Sequence, residues 1–154
     1  MGVCHVRAMA RVTLAVALLV IVTAARADSV VSFDVDPTDS QRAAIRRAAA
    51  ADFVDAQEVT GRALEYAVGQ ADLNDDGRPD LLVQYVDAYF CGSGGCSTVL
   101  VMATPEGYSA KALRLLVLVQ PGEQLTVMDT QHLGMRDLRY ESGYVSTWNG
   151  EAYR

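Results

Sequence analysis

Histidine and cysteine are scarce in this chain, which has two of the first and three of the second. His5 and Cys4 sit in the opening residues, so the remainder keeps only His132, Cys91 and Cys96. A zinc site built on imidazole and thiolate has too few ligands there. A serine or cysteine nucleophile has one candidate base, and it follows Ser93 in the chain. Long apolar runs are also missing. The first, Val12 to Ala25, spans 14 residues, short of the roughly 20 that cross a bilayer. The longest later run, Leu115 to Val119, stops at Gln120-Pro121-Gly122. Positive charge is in deficit too, with 13 Lys and Arg against 19 Asp and Glu. Such a surface repels nucleic acid and anionic lipid, and it suits cations or a basic protein.

What is present begins with a leader. Arg7 and Arg11 precede the apolar run, and Ala25-Arg26-Ala27 places small residues at both recognition positions of a cleavage site, the pattern of a secretory signal peptide. Residues 1–27 are therefore expected to be removed. Residues 28–154 would form one domain, periplasmic or secreted, without membrane insertion and treated as a monomer. Three of the 13 basic residues and none of the 19 acidic ones lie in the leader, which takes the net charge from −6 to −9. Two cysteines in an exported chain predict a Cys91–Cys96 disulfide. Its spacing is not C-x-x-C, and no helix start is at hand to stabilise a thiolate, so a structural bridge is expected.

Along the mature chain, Thr38 and Gln41 have the spacing of a capping box, and the alanine-rich stretch after them predicts one helix ending near Phe53. Ile45, Ala48, Ala49 and Phe53 form its apolar stripe, and Arg42, Arg46 and Arg47 a basic face read as solvated. From Ala63 the period changes to two, through Leu64, Tyr66 and Val68. Segments 81–90 and 97–103 read as a hairpin around the turn Cys91–Cys96, and further strands are predicted at 108–119, 124–130, 135–141 and 144–148. Asn149-Gly150 predicts a final turn that folds residues 151–154 back on the strand carrying Trp148. The expected fold is α+β, an antiparallel β meander with one N-terminal helix packed on the sheet.

Residues 72–80 read DLNDDGRPD. In an oxygen-ligated calcium loop, side chains at positions 1, 3 and 5 turn inward, position 6 needs positive φ, and position 7 offers its carbonyl. Those places fall to Asp72, Asn74, Asp76, Gly77 and Arg78, and Asp80 can close the cage. An EF-hand is excluded, because Val83 stands where the bidentate glutamate belongs and a strand follows instead of a helix. The competing reading is a tight turn, since Asp, Asn and Gly dominate turns. Four carboxylates within nine residues, however, repel one another unless a cation sits among them.

The pattern Asp-x-Asn-x-Asp-Gly-x-x-Asp leading into an apolar strand resembles the calcium loop of FG-GAP and VCBS repeats, over about 20 residues from Gln70 to Tyr89. The resemblance implies structural calcium on Asp72, Asn74, Asp76, Arg78 (by its carbonyl) and Asp80. A single copy does not imply a propeller, whose blades need neighbours. The succession of acidic loop, strand and CGSGGC turn is also similar to a group of small bacterial exported proteins, a likeness that brings no activity with it.

The expected function is an exported, non-enzymatic, calcium-binding interaction domain. Ser93 on the glycine-rich tip is a candidate partner contact. The alternative is a periplasmic lysozyme inhibitor, an acidic, disulfide-containing domain complementary to a basic enzyme. Ser142-Gly143-Tyr144 resembles the Ser-Gly-x-Tyr inhibitory loop of such proteins with the tyrosine one position early, which makes Ser142 and Tyr144 candidate contacts. A calcium-dependent hydrolase is the least favoured class, because carboxylates held ionised by a cation are unfit as general acids.

Overall fold

The computed structural model describes residues 26–154, so the expected leader, apart from Arg26 and Ala27, lies outside the described residues. The capping box forms as the sequence predicts: the Gln41 N–H donates to Thr38 Oγ1 at 3.3 Å, and the Thr38 N–H to Gln41 Oε1 at 2.9 Å. Two helices follow, not one. α1 (Asp39–Ala48) ends at Ala49, and α2 (Ala50–Thr60) runs on to Gly61, which closes it in the left-handed conformation. No proline or glycine marks the break at Ala49. Both helices pack on a sheet through Ile45, Ala49 and Ala56, and fully burying a side chain such as Ile45 contributes about 2–3 kcal/mol.

Strand β1 (Ser29–Val31) precedes the helices. After them come β2 (Tyr66–Ala71), β3 (Asp80–Tyr85), β4 (Cys91–Gly92), β5 (Gly95–Val101), β6 (Ala103–Thr104), β7 (Gly107–Tyr108), β8 (Leu113–Val119), β9 (Leu125–His132), β10 (Met135–Arg139) and β11 (Val145–Ser146). The expected single meander is two sheets and a short hairpin, with every strand pairing antiparallel. The first sheet runs β2-β3-β5-β8. The short β4 continues the β3 edge, because Cys96 pairs Cys91 on one side and Val119 on the other. The second sheet is β1-β9-β10-β11, and β6 pairs β7. What splits the meander is β1, which reaches across the sequence to lie against β9 (Val31 opposite Leu125).

The first sheet is a middle layer. Leu81, Val83, Tyr85, Val99 and Val101 face the helices, while Leu82 and Leu100 face the second sheet together with Leu125, Val127 and Leu138. Alternate residues of a strand point to opposite faces. With both faces covered, β3 is buried at every position, which is why its sequence reads as a nearly unbroken apolar run. A polar group pins helix to sheet: Tyr85 donates to Asp52 at 2.6 Å and Arg114 to the same carboxylate at 2.7 Å. Burial, and then the hydrogen bond to Asp52, push the Tyr85 phenol upward.

The two outer edges of this sheet end differently. On β8, the C-terminal segment folds back on Trp148 as expected, although the turn falls one residue later, at Gly150-Glu151, with the Asn149 N–H donating to the Ala152 carbonyl at 3.2 Å. Tyr153 exchanges hydrogen bonds with Leu116 (2.8 Å) and Arg114 (3.3 Å). On β2 the segment after β1 lies over the outer edge: the Val35 N–H donates to the Val68 carbonyl at 3.0 Å, and Val31 and Ser32 press against Gly69. Among the described residues no helix is long and apolar enough to cross a membrane.

Candidate metal centre

Loop 72–80 joins β2 to β3, and both of its ends are anchored by buried residues. Leu73 is completely buried between the sheets. Its N–H donates to Asp80 Oδ2 at 2.9 Å, and its carbonyl accepts from Arg136 N–H at the start of β10 at 2.7 Å. Asp80, also fully buried, uses its other oxygen on the Ala103 N–H at 2.7 Å. Burial raises the Asp80 carboxyl to about 6, against those two N–H donors and with the help of the nearby Asp72 and Asp76 charges.

Between these anchors the side chains fold the backbone around themselves. Asp72 accepts from the N–H groups of Asp76 (3.1 Å) and Gly77 (2.8 Å). Asn74 Oδ1 reaches the same Asp76 N–H at 3.3 Å, and its Nδ2 donates to Asp76 Oδ2 at 3.1 Å. Gly77 has φ +81°, the left-handed turn expected at position 6. Oxygens from Asp72 and Asn74 thus converge on the Asp76 N–H inside the turn. The Arg78 N–H donates to Asp76 at 2.9 Å, and the Arg78 guanidinium lies 3.2 Å from the same carboxylate. Local desolvation acts upward on the Asp76 carboxyl, but the bonds from Arg78 and Asn74 outweigh it and hold the group below its usual range. Asp75, at φ +61°, turns the other way, toward Arg26 and Gln131.

The donor chemistry suits a hard cation: two carboxylates, an amide oxygen and the carbonyls of a tight turn. Among the described residues no three His, Cys, Asp or Glu side chains converge as a ligand group. Asp80 is the member set apart, turned toward Leu73 and Ala103. Each of its oxygens accepts one N–H, which leaves acceptor capacity on both.

The disulfide forms between Cys91 and Cys96, with Cα atoms 4.0 Å apart, at the opposite end of β3 from the acidic loop. Ser93 is exposed on its tip, and among the described residues no side-chain hydrogen bond reaches its hydroxyl. Ser142 and Tyr144 sit in the turn between β10 and β11, where Tyr144 is 48 % exposed and packs edge-on to Tyr140. The sequence offered no hint of Asp137, which is buried on β10 and accepts from Thr130 at 2.6 Å while its other oxygen lies 2.7 Å from His132 Nδ1. Residue order placed His132 beside the Leu133-Gly134 turn but could not reveal a buried carboxylate five residues on. Comparison with protein-family models, with curated proteins and with solved structures finds no match to this chain.

Proposed function

We propose that the chain is an exported, non-enzymatic interaction domain whose loop 72–80 binds one structural calcium ion. The observation that carries this reading is the wrapping of Asp72 and Asn74 oxygens around the backbone N–H groups of Asp76 and Gly77, with Asp76 accepting from the Arg78 N–H one residue further on. The ion would be held by these three side chains, by the Arg78 carbonyl and by the remaining lone pairs of Asp80. It would supply the positive charge that N–H groups and the Arg78 guanidinium otherwise lend to the loop. Cleavage after Ala27 would also remove Arg26 from Asp75, making the loop more acidic in the mature protein. Calcium fits better than magnesium, which demands tight octahedral geometry and releases its waters reluctantly.

Thermal unfolding of the mature protein tests this. If calcium binds only the folded form, stabilisation at ten times Kd is about 1.4 kcal/mol, and magnesium gives less. Asp76→Ala removes most of the response. Asp75→Ala, at the outward-facing position, leaves nearly all of it. A wild type without any shift in millimolar calcium sinks the proposal, and equal losses in both variants reduce it to diffuse charge screening.

The lysozyme-inhibitor reading draws support from one observation, the half-exposed Tyr144 on a tight turn of an acidic domain. It requires that the protein slow a lysozyme at low salt and that Tyr144→Ala abolish the effect.

A further inference from the structure

The expected cut, between Ala27 and Asp28, falls where the chain is already part of the fold. The Ala27 carbonyl accepts from the Arg136 guanidinium at 3.0 Å. That guanidinium is buried and, among the described residues, has no carboxylate partner. Its other acceptors are the carbonyls of Met128 at 2.6 Å and Val127 at 3.3 Å. On the far side of the bond, Asp28 accepts from the Asp129 N–H at 3.0 Å and from Arg139 at 3.2 Å. Arg26, just before Ala27, is paired with Asp75 of the acidic loop.

Only Asp28 separates the cut from the first strand. β1 begins at Ser29, opposite Val127 on β9, and runs to Val31, opposite Leu125. Val31 is buried and keyed into β2. A Cβ built on Gly69 would lie 2.6 Å from Val31 Cγ1 and 3.0 Å from the Ser32 carbonyl oxygen, so a Val31 methyl fills the room that Gly69 leaves. Residues 26–30 are exposed to water, but a peptidase needs more than wetted chain. It draws an extended segment into its own cleft on both sides of the scissile bond. A segment paired with β9 and seated on β2 has to be lifted off first.

We infer that the fold shields the Ala27–Asp28 bond, so that the leader is removed before β1 pairs with β9, and a chain that folds first stays uncut. Hydrolysis adds water across this amide and leaves a carboxylate on Ala27 and an amine on Asp28. The carbonyl that water must attack is the one Arg136 holds. Cutting a folded chain therefore requires the state in which β1 is detached, and the rate follows the small population of that state. This inference rests on the reading of the chain as exported with a leader ending at Ala27, and it is independent of the calcium loop.

The test compares cleavage of the full-length chain by a solubilised signal peptidase in two presentations, folded beforehand or diluted from urea directly into the enzyme, with N-terminal sequencing of the products. The folded chain is cut after Ala27 about tenfold more slowly, or less. A Gly/Ser spacer of about six residues inserted after Ala27 carries the site clear of β1 and brings the folded chain within about twofold of the urea-diluted one. Equal rates for the two presentations of the native sequence overturn the inference and leave the leader reading standing. A spacer variant that resists cleavage when folded overturns it too, because the protection then lies elsewhere than at β1. A chain cut after Ala27 in neither presentation overturns the leader reading itself, and the inference with it.

Discussion

The two turns at opposite ends of β3 solve one problem by different chemistry. The acidic loop folds back on itself by handing backbone N–H groups to carboxylates, whereas the CGSGGC tip is closed by a covalent bond and leaves its residues little polar work. A turn made of charges answers to pH and, on the proposed function, to calcium. A turn made of sulfur answers to reductant. The difference teaches that stiffness at a sheet end can be conditional or fixed, and substitutions can separate the two.

The largest effect is expected at the tip. Gly95 has φ +117°, and a Cβ there would lie 2.8 Å from the Val119 carbonyl oxygen, a backbone atom that cannot swing aside. Gly95→Ala should therefore cost about 4 kcal/mol by urea denaturation, combining a backbone conformation reserved for glycine with overpacking. An effect below about 1 kcal/mol would mean that β5 and β8 separate more easily than their register implies.

Next comes the pH dependence of the loop. The Asp80 carboxyl is raised from 3.8 to about 6 in the fold, so the native state keeps a proton that the unfolded chain has lost. Its contribution to stability is full in acid and is lost as pH rises from about 4 through about 6, a swing of about 3 kcal/mol in calcium-free protein. Asp76, held low, works in the opposite sense and loses its contribution as pH falls. The difference in pH slope between wild type and Asp80→Asn isolates the first effect; parallel profiles would show that Asp80 ionises in the fold as freely as in water.

Replacing both cysteines by serine should cost about 2 kcal/mol, the loop-closure value for a ring this small. The calcium response should survive that change intact, because the bridge and the loop sit at opposite ends of the strand. Gly77→Ala is the smallest perturbation, about 1 kcal/mol. A Cβ at Gly77 meets nothing within 4 Å, so only the left-handed backbone is penalised. Measured beside Gly95→Ala, it separates conformational cost from steric cost.

Local features were legible in the sequence. The capping box and the cysteine pair depend on neighbours a few residues apart, and each formed; the C-terminal turn formed too, one residue later than Asn149-Gly150. Alanine density places the helix end near Phe53, whereas helical structure continues to Thr60 and is closed by the left-handed backbone of Gly61. The layering escaped because it depends on β1 finding β9 about a hundred residues away, and nothing in the sequence of Ser29–Val31 names its partner. In the candidate centre, the places of Asp72, Asn74 and Asp76 follow from spacing alone. The inward turn of Asp80 toward Ala103, like the burial of Asp52 and Asp137, is decided by a neighbouring strand or helix that no local pattern encodes.

Leu73 gives the acidic loop a mechanical limit. Its side chain is wedged between the sheets and its backbone is bonded on both sides, to Asp80 and to Arg136. Any rearrangement that reached Leu73 would have to prise the two sheets apart. The loop is therefore a short arch on fixed abutments, free to flex only over residues 74–79, and whatever sits in it is felt directly at the seam of the molecule.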